Sequence, residues 1–189
     1  MADEKQRYSM YDLIAKKRDG GQLERPELAF WLQGMLAGSV PDYQTAAMLM
    51  AIFWRGLDEA ETFALTEEIV ASGEQLDLQG LTGVTADKHS TGGVGDKTTL
   101  IAMPLAAACG LKIAKMSGRS LGKTGGTADK LASVPGFRLD LPEAELLRQV
   151  SEVGLAVVAQ NKNLPPADKR LYGLRDMPAT GDSLPLIAA

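Results

Sequence analysis

The chain has 189 residues, 45% hydrophobic and 23% charged, with a formal net charge of −4 at pH 7. That much apolar material can build one sizeable core or two small lobes sharing an interface. The acidic balance offers no general attraction to a phosphate-coated polymer, which argues against nucleic acid as a partner.

The first elements read as helices with clear punctuation. Ser9 can cap a helix that stops at Gly20, and Pro26 suits the start of a second that ends at Gly38. A third runs from about Asp42 to Gly56. Asp58 opens a fourth, with Glu61 three residues on as in a capping box, and it stops at Gly73. Phe30, Trp31, Leu32, Met35 and Leu36 cover more than one face of their helix, as do the residues from Ala46 to Trp54. A helix apolar most of the way round is buried on more than one side. The cover is either a second subunit or a second lobe of the same chain.

After Gly80 short β-type runs alternate with helices. Val84-Thr85-Ala86 leads into a Gly-rich loop and a helix from about Asp96 to Cys109. Lys112-Ile113-Ala114-Lys115-Met116 leads into a second Gly-rich loop. A helix from about Pro142 to Val153 precedes Leu155-Ala156-Val157-Val158-Ala159. Strand, helix, strand, helix, strand implies right-handed crossovers and a parallel sheet. The fold class is therefore α/β: an N-terminal helical domain, then the start of a parallel-sheet α/β domain. The expected bounds are 1–75 for the helical domain, 76–160 for the α/β part, and 161–189 for a helical return segment packing on the first. Asp182 to Ala189 looks like a capped helix just starting, so the α/β domain is expected to be incomplete at the C-terminus. Cys109 is the single cysteine, which excludes an internal disulfide framework. Its apolar run predicts a buried small residue. No run is long enough to span a bilayer and the N-terminus has no apolar signal core, so no membrane partner and a cytoplasmic location are expected.

The strongest local signal is Asp87-Lys88-His89-Ser90-Thr91-Gly92-Gly93-Val94-Gly95-Asp96-Lys97-Thr98-Thr99, between a strand and a helix. In a parallel sheet, ligands sit at the carboxyl ends of the strands. Glycines let backbone N–H groups turn inward, and the helix N-terminus adds partial positive charge. Lys88, Ser90 and Thr99 add an ammonium and two hydroxyls, which suits a small multivalent anion such as phosphate. The P-loop pattern fails, because Asp96 stands where glycine should precede Lys97-Thr98. The dinucleotide fingerprint fails too, with Thr98 at the third glycine's place. Met116 to Thr127 repeats the combination after the next strand, with Ser117 and Thr127 as its best anion ligands. Arg119 suits either the anion or a structural ion pair. His89, the only histidine, can donate to a carbonyl oxygen that gains negative charge. No clustered metal ligands are evident, so no metal is expected. Further on, Arg175 offers five fixed donors to a planar acceptor, with Tyr172 one turn earlier on the same helix face.

Lys88-His89-Ser90-Thr91-Gly92-Gly93-Val94-Gly95-Asp96, Ser117-Gly118-Arg119-Ser120-Leu121-Gly122-Lys123-Thr124-Gly125-Gly126-Thr127 and Leu164-Pro165-Pro166-Ala167-Asp168-Lys169-Arg170-Leu171-Tyr172-Gly173-Leu174-Arg175-Asp176 together resemble the thymidine and pyrimidine-nucleoside phosphorylases. The resemblance extends over essentially the whole chain. It implies a pentosyltransferase that splits a pyrimidine nucleoside with inorganic phosphate, dimerises through its helical domain, and uses no cofactor besides phosphate as substrate. It also implies that Lys88, Ser90, Thr99, Ser117 and Thr127 hold phosphate. His89 and Arg175 would contact the base carbonyls, and Leu121, Tyr172 and Ile187 would line the base pocket. The family is longer, and its next helix supplies a serine and a lysine to the base, so the isolated chain is expected to turn over little or not at all. Lys123 stands where the family has histidine, which either tunes anion binding or marks drift. Two further readings stay open: a non-catalytic helical dimerisation module with an anion site, and a phosphoribosyltransferase of related fold.

Overall fold

The helix signals place the first elements well. In a computed structural model that describes residues 8–88, 96–118, 126–159 and 166–189, α1 spans Met10–Arg18, α2 Arg25–Ala37, α3 Asp42–Arg55 and α4 Glu59–Ala71. Asp58 caps α4 through its side chain, and Glu61 returns the bond to the Asp58 N–H. Two orphan donors at the helix start are thereby satisfied. Gly38 ends α2 at φ +77°, a left-handed position that costs glycine little. Pro26 is the second helical residue rather than the first, because Glu24 is the N-cap.

The chain divides into two compact units, residues 1–74 with 165–189, and residues 75–164. The first unit adds α8 (Pro166–Arg175) and α9 (Leu184–Ala188), which pack on α2, α3 and α4. Its core contains Leu28, Trp31, Leu32, Met35, Met48, Leu49, Ile52 and Leu65, with Ala167 and Leu171 of α8 joining it. Each such side chain contributes about 1.5–3 kcal/mol on burial. The cover over the apolar faces of α2 and α3 therefore comes in part from α8 and α9, later elements of the same chain. Along one stripe of α3, Tyr43 and Trp54 are about three-quarters exposed, and Ala47, exposed, and Met50, half-buried, lie between them at helical spacing.

The second unit contains α5 (Lys97–Ala108), β1 (Ile113–Ser117), α6 (Thr127–Ala132), α7 (Glu143–Val153) and β2 (Leu155–Ala159). β1 and β2 pair in parallel, Ile113 with Leu155 through Ser117 with Ala159. Leu146 and Val150 of α7 bury against Ala156 and Val158 on one face of the sheet. Val157 points to the other face, toward Ala128 and Leu139. The alternation is the period of two that a pleated strand imposes.

Three sequence readings change here. Val84-Thr85-Ala86 is not a full strand: Thr85 makes a single parallel bridge to Lys112, flanked by Lys112 N–H to Val84 O and Ala86 N–H to Lys112 O. Val84 is largely exposed, so little apolar burial holds a longer ladder. Cys109 is exposed, not buried. It is the C-cap of α5, a helix apolar around its circumference whose Ile101 and Leu105 are also exposed. The six-residue α6 did not emerge from the sequence at all, because the glycine loop before it dominates the local pattern.

Candidate functional site

Asp96 is the N-cap of α5 and accepts from the Thr99 N–H at 3.3 Å. The same carboxylate gathers side chains from three places in the α/β unit. Lys88 Nζ donates to Oδ1 at 2.5 Å, and Thr98 Oγ1 donates to Oδ1 at 3.0 Å. Thr127 Oγ1, at the first position of α6, donates to Oδ2 at 3.1 Å, and the Thr99 hydroxyl donates to Oδ2 as well. Lys88 Nζ also donates to Thr99 Oγ1 at 3.0 Å. Thr99 and Thr127 are buried, and the Asp96 side chain is 10% exposed. Burial pushes the Asp96 carboxyl up, but the Lys88 ammonium and the hydroxyls of Thr99, Thr98 and Thr127 outweigh it. They hold the group well below the usual carboxylate range.

The position of Lys88 is fixed from below by β1. Lys115 Nζ donates to Lys88 O at 2.5 Å and lies 3.4 Å from Asp87 Oδ1. Lys115 is 5% exposed. Its ammonium thus anchors the backbone of the Asp87-Lys88 segment above the strand.

Of the residues named from the sequence as phosphate ligands, Lys88, Thr99 and Thr127 come together here. Ser117 closes β1, and its hydroxyl donates to Gly118 O at 3.5 Å. Ser90, His89 and Leu121 lie outside the described residues, as do Arg119 and Lys123. Arg175, Tyr172 and Ile187 belong to the helical unit. The Arg175 guanidinium lies over the Tyr172 ring, 4.4 Å from its centroid, and its Nη1 donates to Leu186 O at 2.9 Å. Arg175 Nε is buried with no hydrogen-bond partner among the described residues. Among the described residues no three acidic, His or Cys side chains gather to hold a metal ion, and no helix is long and apolar enough to cross a membrane.

Sequence reasoning missed Asp96 and Lys115. In the sequence Asp96 opens a helix and breaks the P-loop pattern, and neither reading makes it the acceptor that gathers the donors. The signal for its role was its place three residues before Thr99, where a side chain caps a helix. Lys115 showed itself as a cation inside an otherwise apolar strand, which requires a partner.

What such a cluster can do is concentrate donors. An ammonium, hydroxyls and the N-terminal N–H groups of a twelve-residue helix are the groups that bind a tetrahedral oxyanion. Residues 11–73 match the helical bundle domain of the glycosyl transferase family, and residues 82–189 match its a/b domain. The chain belongs to the glycosyl transferase family. This family member is 54% identical over 180 residues to the pyrimidine-nucleoside phosphorylase of Geobacillus stearothermophilus, a match covering 95% of this chain and 42% of that protein. It is 51% identical over the same length and shares to the pyrimidine-nucleoside phosphorylase of Staphylococcus epidermidis. The chain thus spans 42% of the length of these curated relatives. In fold it is similar to the crystal structure of anthranilate phosphoribosyltransferase from Thermus thermophilus. There the TM-score is 0.71 at 23% identity, over 94% of this chain and 55% of that one. That glycosyl transferase fold, a helical domain followed by parallel-strand α/β structure, is the one the sequence pattern implies.

Proposed function

We propose that this chain provides the phosphate-holding part of a pyrimidine-nucleoside phosphorylase, which converts thymidine or uridine and inorganic phosphate to free base and pentose 1-phosphate. The observation that carries the reading is the convergence of Lys88, Thr99 and Thr127 from three separate segments on one point. Relatives at 50–54% identity named for this activity support it.

The chemistry follows from the groups. Breaking the glycosidic bond builds positive charge on the sugar and negative charge on the departing base. An oxyanion held beneath the anomeric carbon is both the nucleophile and the counter-charge, so no protein nucleophile is required. Lys88, Ser90, Thr99, Ser117 and Thr127 hold that phosphate. His89 and Arg175 donate to the base carbonyls as they gain charge, a role worth on the order of a hundredfold or more in rate. The Nε donor of Arg175, without a partner among the described residues, supports its assignment to a ligand, since a buried donor left unpaired costs about 1–3 kcal/mol. Leu121, Tyr172 and Ile187 line the base pocket. Inorganic phosphate is substrate, and no metal or cofactor takes part. A homodimer forms through the Tyr43, Ala47, Met50 and Trp54 stripe of α3, in which the described residues leave Tyr43, Ala47 and Trp54 exposed and Met50 half-buried.

The test is a phosphate titration of the 189-residue chain followed by thermal unfolding. Phosphate at millimolar concentration raises the midpoint of the wild type and leaves Lys88→Ala unmoved. The absence of any shift in the wild type overturns the phosphate reading. Base release from uridine or thymidine by this chain alone is expected to be small. Addition of the remaining α/β portion of a relative is expected to raise it.

A further inference from the structure

We infer that Asp96 is an internal competitor for the oxyanion: its carboxylate takes the donors that phosphate needs, so phosphate binds by displacing it. The inference rests on the phosphate reading above and adds a residue that sets the affinity of that site.

The argument is one of donor accounting. A threonine hydroxyl has a single proton. The hydroxyl protons of Thr99 and Thr127 are both directed to Asp96 Oδ2, and that of Thr98 to Oδ1. None of these can donate to an oxyanion while it donates to the carboxylate. Lys88 has three N–H bonds, one on Asp96 Oδ1 at 2.5 Å, one on Thr99 Oγ1 at 3.0 Å and a longer one on Thr98 Oγ1 at 3.4 Å, which leaves none. The carboxylate meanwhile receives the Thr99 N–H in addition, so its roughly four lone-pair directions are filled.

Charge gives the same result. Lys88 and Asp96 cancel each other within the cluster, in a setting where the Asp96 side chain is 10% exposed. A phosphate placed on Lys88 beside an ionised Asp96 meets a like charge at short range and low effective dielectric. Moving the carboxylate aside frees the ammonium and both threonine hydroxyls together. Thr99 and Thr127 are buried beneath it, so the same movement opens the cluster to solvent.

Calorimetric titration with inorganic phosphate at neutral pH tests this on three variants. Asp96→Asn and Asp96→Ser keep a side-chain acceptor for the helix N-terminus and remove the charge. Lys88→Ala removes the cation. Both Asp96 variants are expected to bind phosphate about tenfold or more tightly than wild type, the order expected when a charged competitor is removed from a donor set. Unchanged or weaker binding in both Asp96 variants, with Lys88→Ala still abolishing the wild-type signal, overturns the inference and leaves the phosphate reading standing. In that case Asp96 merely positions the donors. No heat with phosphate in the wild type or either Asp96 variant overturns both.

Discussion

Lys17 and Glu61 meet in the core of the helical unit, 44 residues apart in sequence, with Lys17 Nζ 2.7 and 2.8 Å from the two carboxylate oxygens. Both side chains are 4% exposed. The same carboxylate accepts from Leu23 N at 2.7 Å and Asp58 N at 3.0 Å, so it joins α1, the turn before α2 and the start of α4. Removing one partner of such a pair leaves the other buried and uncompensated. Lys17→Met is expected to lower the stability of the chain by about 3–5 kcal/mol in urea unfolding. Lys17→Met with Glu61→Gln should recover part of the loss, because the stranded charge is gone. A single-variant cost below about 1 kcal/mol would show the pair to be hydrated.

Gly34 sits inside α2, where alanine is normally the better residue by about 0.5–1 kcal/mol. A Cβ there would stand 2.5 Å from Val40 Cγ2 and 3.3 Å from Ser39 Oγ. Val40 is 3% exposed, and its N–H donates to Gly34 O at 3.0 Å, so the turn after α2 folds tightly back on the helix. Gly34→Ala is expected to destabilise by about 1–3 kcal/mol despite the gain in helix propensity. Pairing it with Val40→Ala separates the two effects: the steric cost should vanish in the double variant. A more stable Gly34→Ala protein would mean that the turn yields freely.

The α3 stripe gives a test of assembly. Tyr43, Ala47, Met50 and Trp54 recur at helical spacing on the side turned from the core. Met50→Glu and Trp54→Glu are each expected to shift the protein from dimer to monomer in light scattering after gel filtration, with helical content retained. A wild type that is monomeric at tens of micromolar removes the support for the dimer.

The start of α4 and the ends of α2 and α3 were legible because local chemistry sets them: the Asp58 and Glu61 capping box, and the positive-φ glycines Gly38 and Gly56; Ser9, by contrast, precedes α1 without a side-chain cap bond. The parallel strands β1 and β2 were legible as apolar runs between helices. The first expected strand was not, since Val84 to Ala86 has the composition of a strand but lacks the packing that extends one. Cys109 misled for a related reason. Apolar neighbours in sequence predict burial only when something covers the helix face they occupy. At the site, the types of donor could be read from the two glycine-rich motifs. That Lys88, Thr99 and Thr127 share one acceptor could not, because it depends on how α5 and α6 start relative to β1. Asp96 escaped notice because a carboxylate is a poor candidate for an anion site until its partners are seen.

Asp96 also gives the α/β unit a defined response to acid. Burial alone would raise its pKa, but the Lys88 ammonium and the hydroxyls of Thr99, Thr98 and Thr127 lower it well below the carboxylate range. The folded chain therefore binds fewer protons at this group than the unfolded chain does, and stability rises with pH wherever the two differ. Its contribution is complete above the unfolded value of about 4 and is lost as pH falls through the lower folded value. Asp96→Asn has no such proton to take up. The difference in thermal midpoint between wild type and Asp96→Asn should be constant from neutrality down to about pH 5, and then close as acid is added toward about pH 2. If the difference keeps its neutral value at the acid end, the Asp96 carboxylate is not held ionised by Lys88 and the threonines.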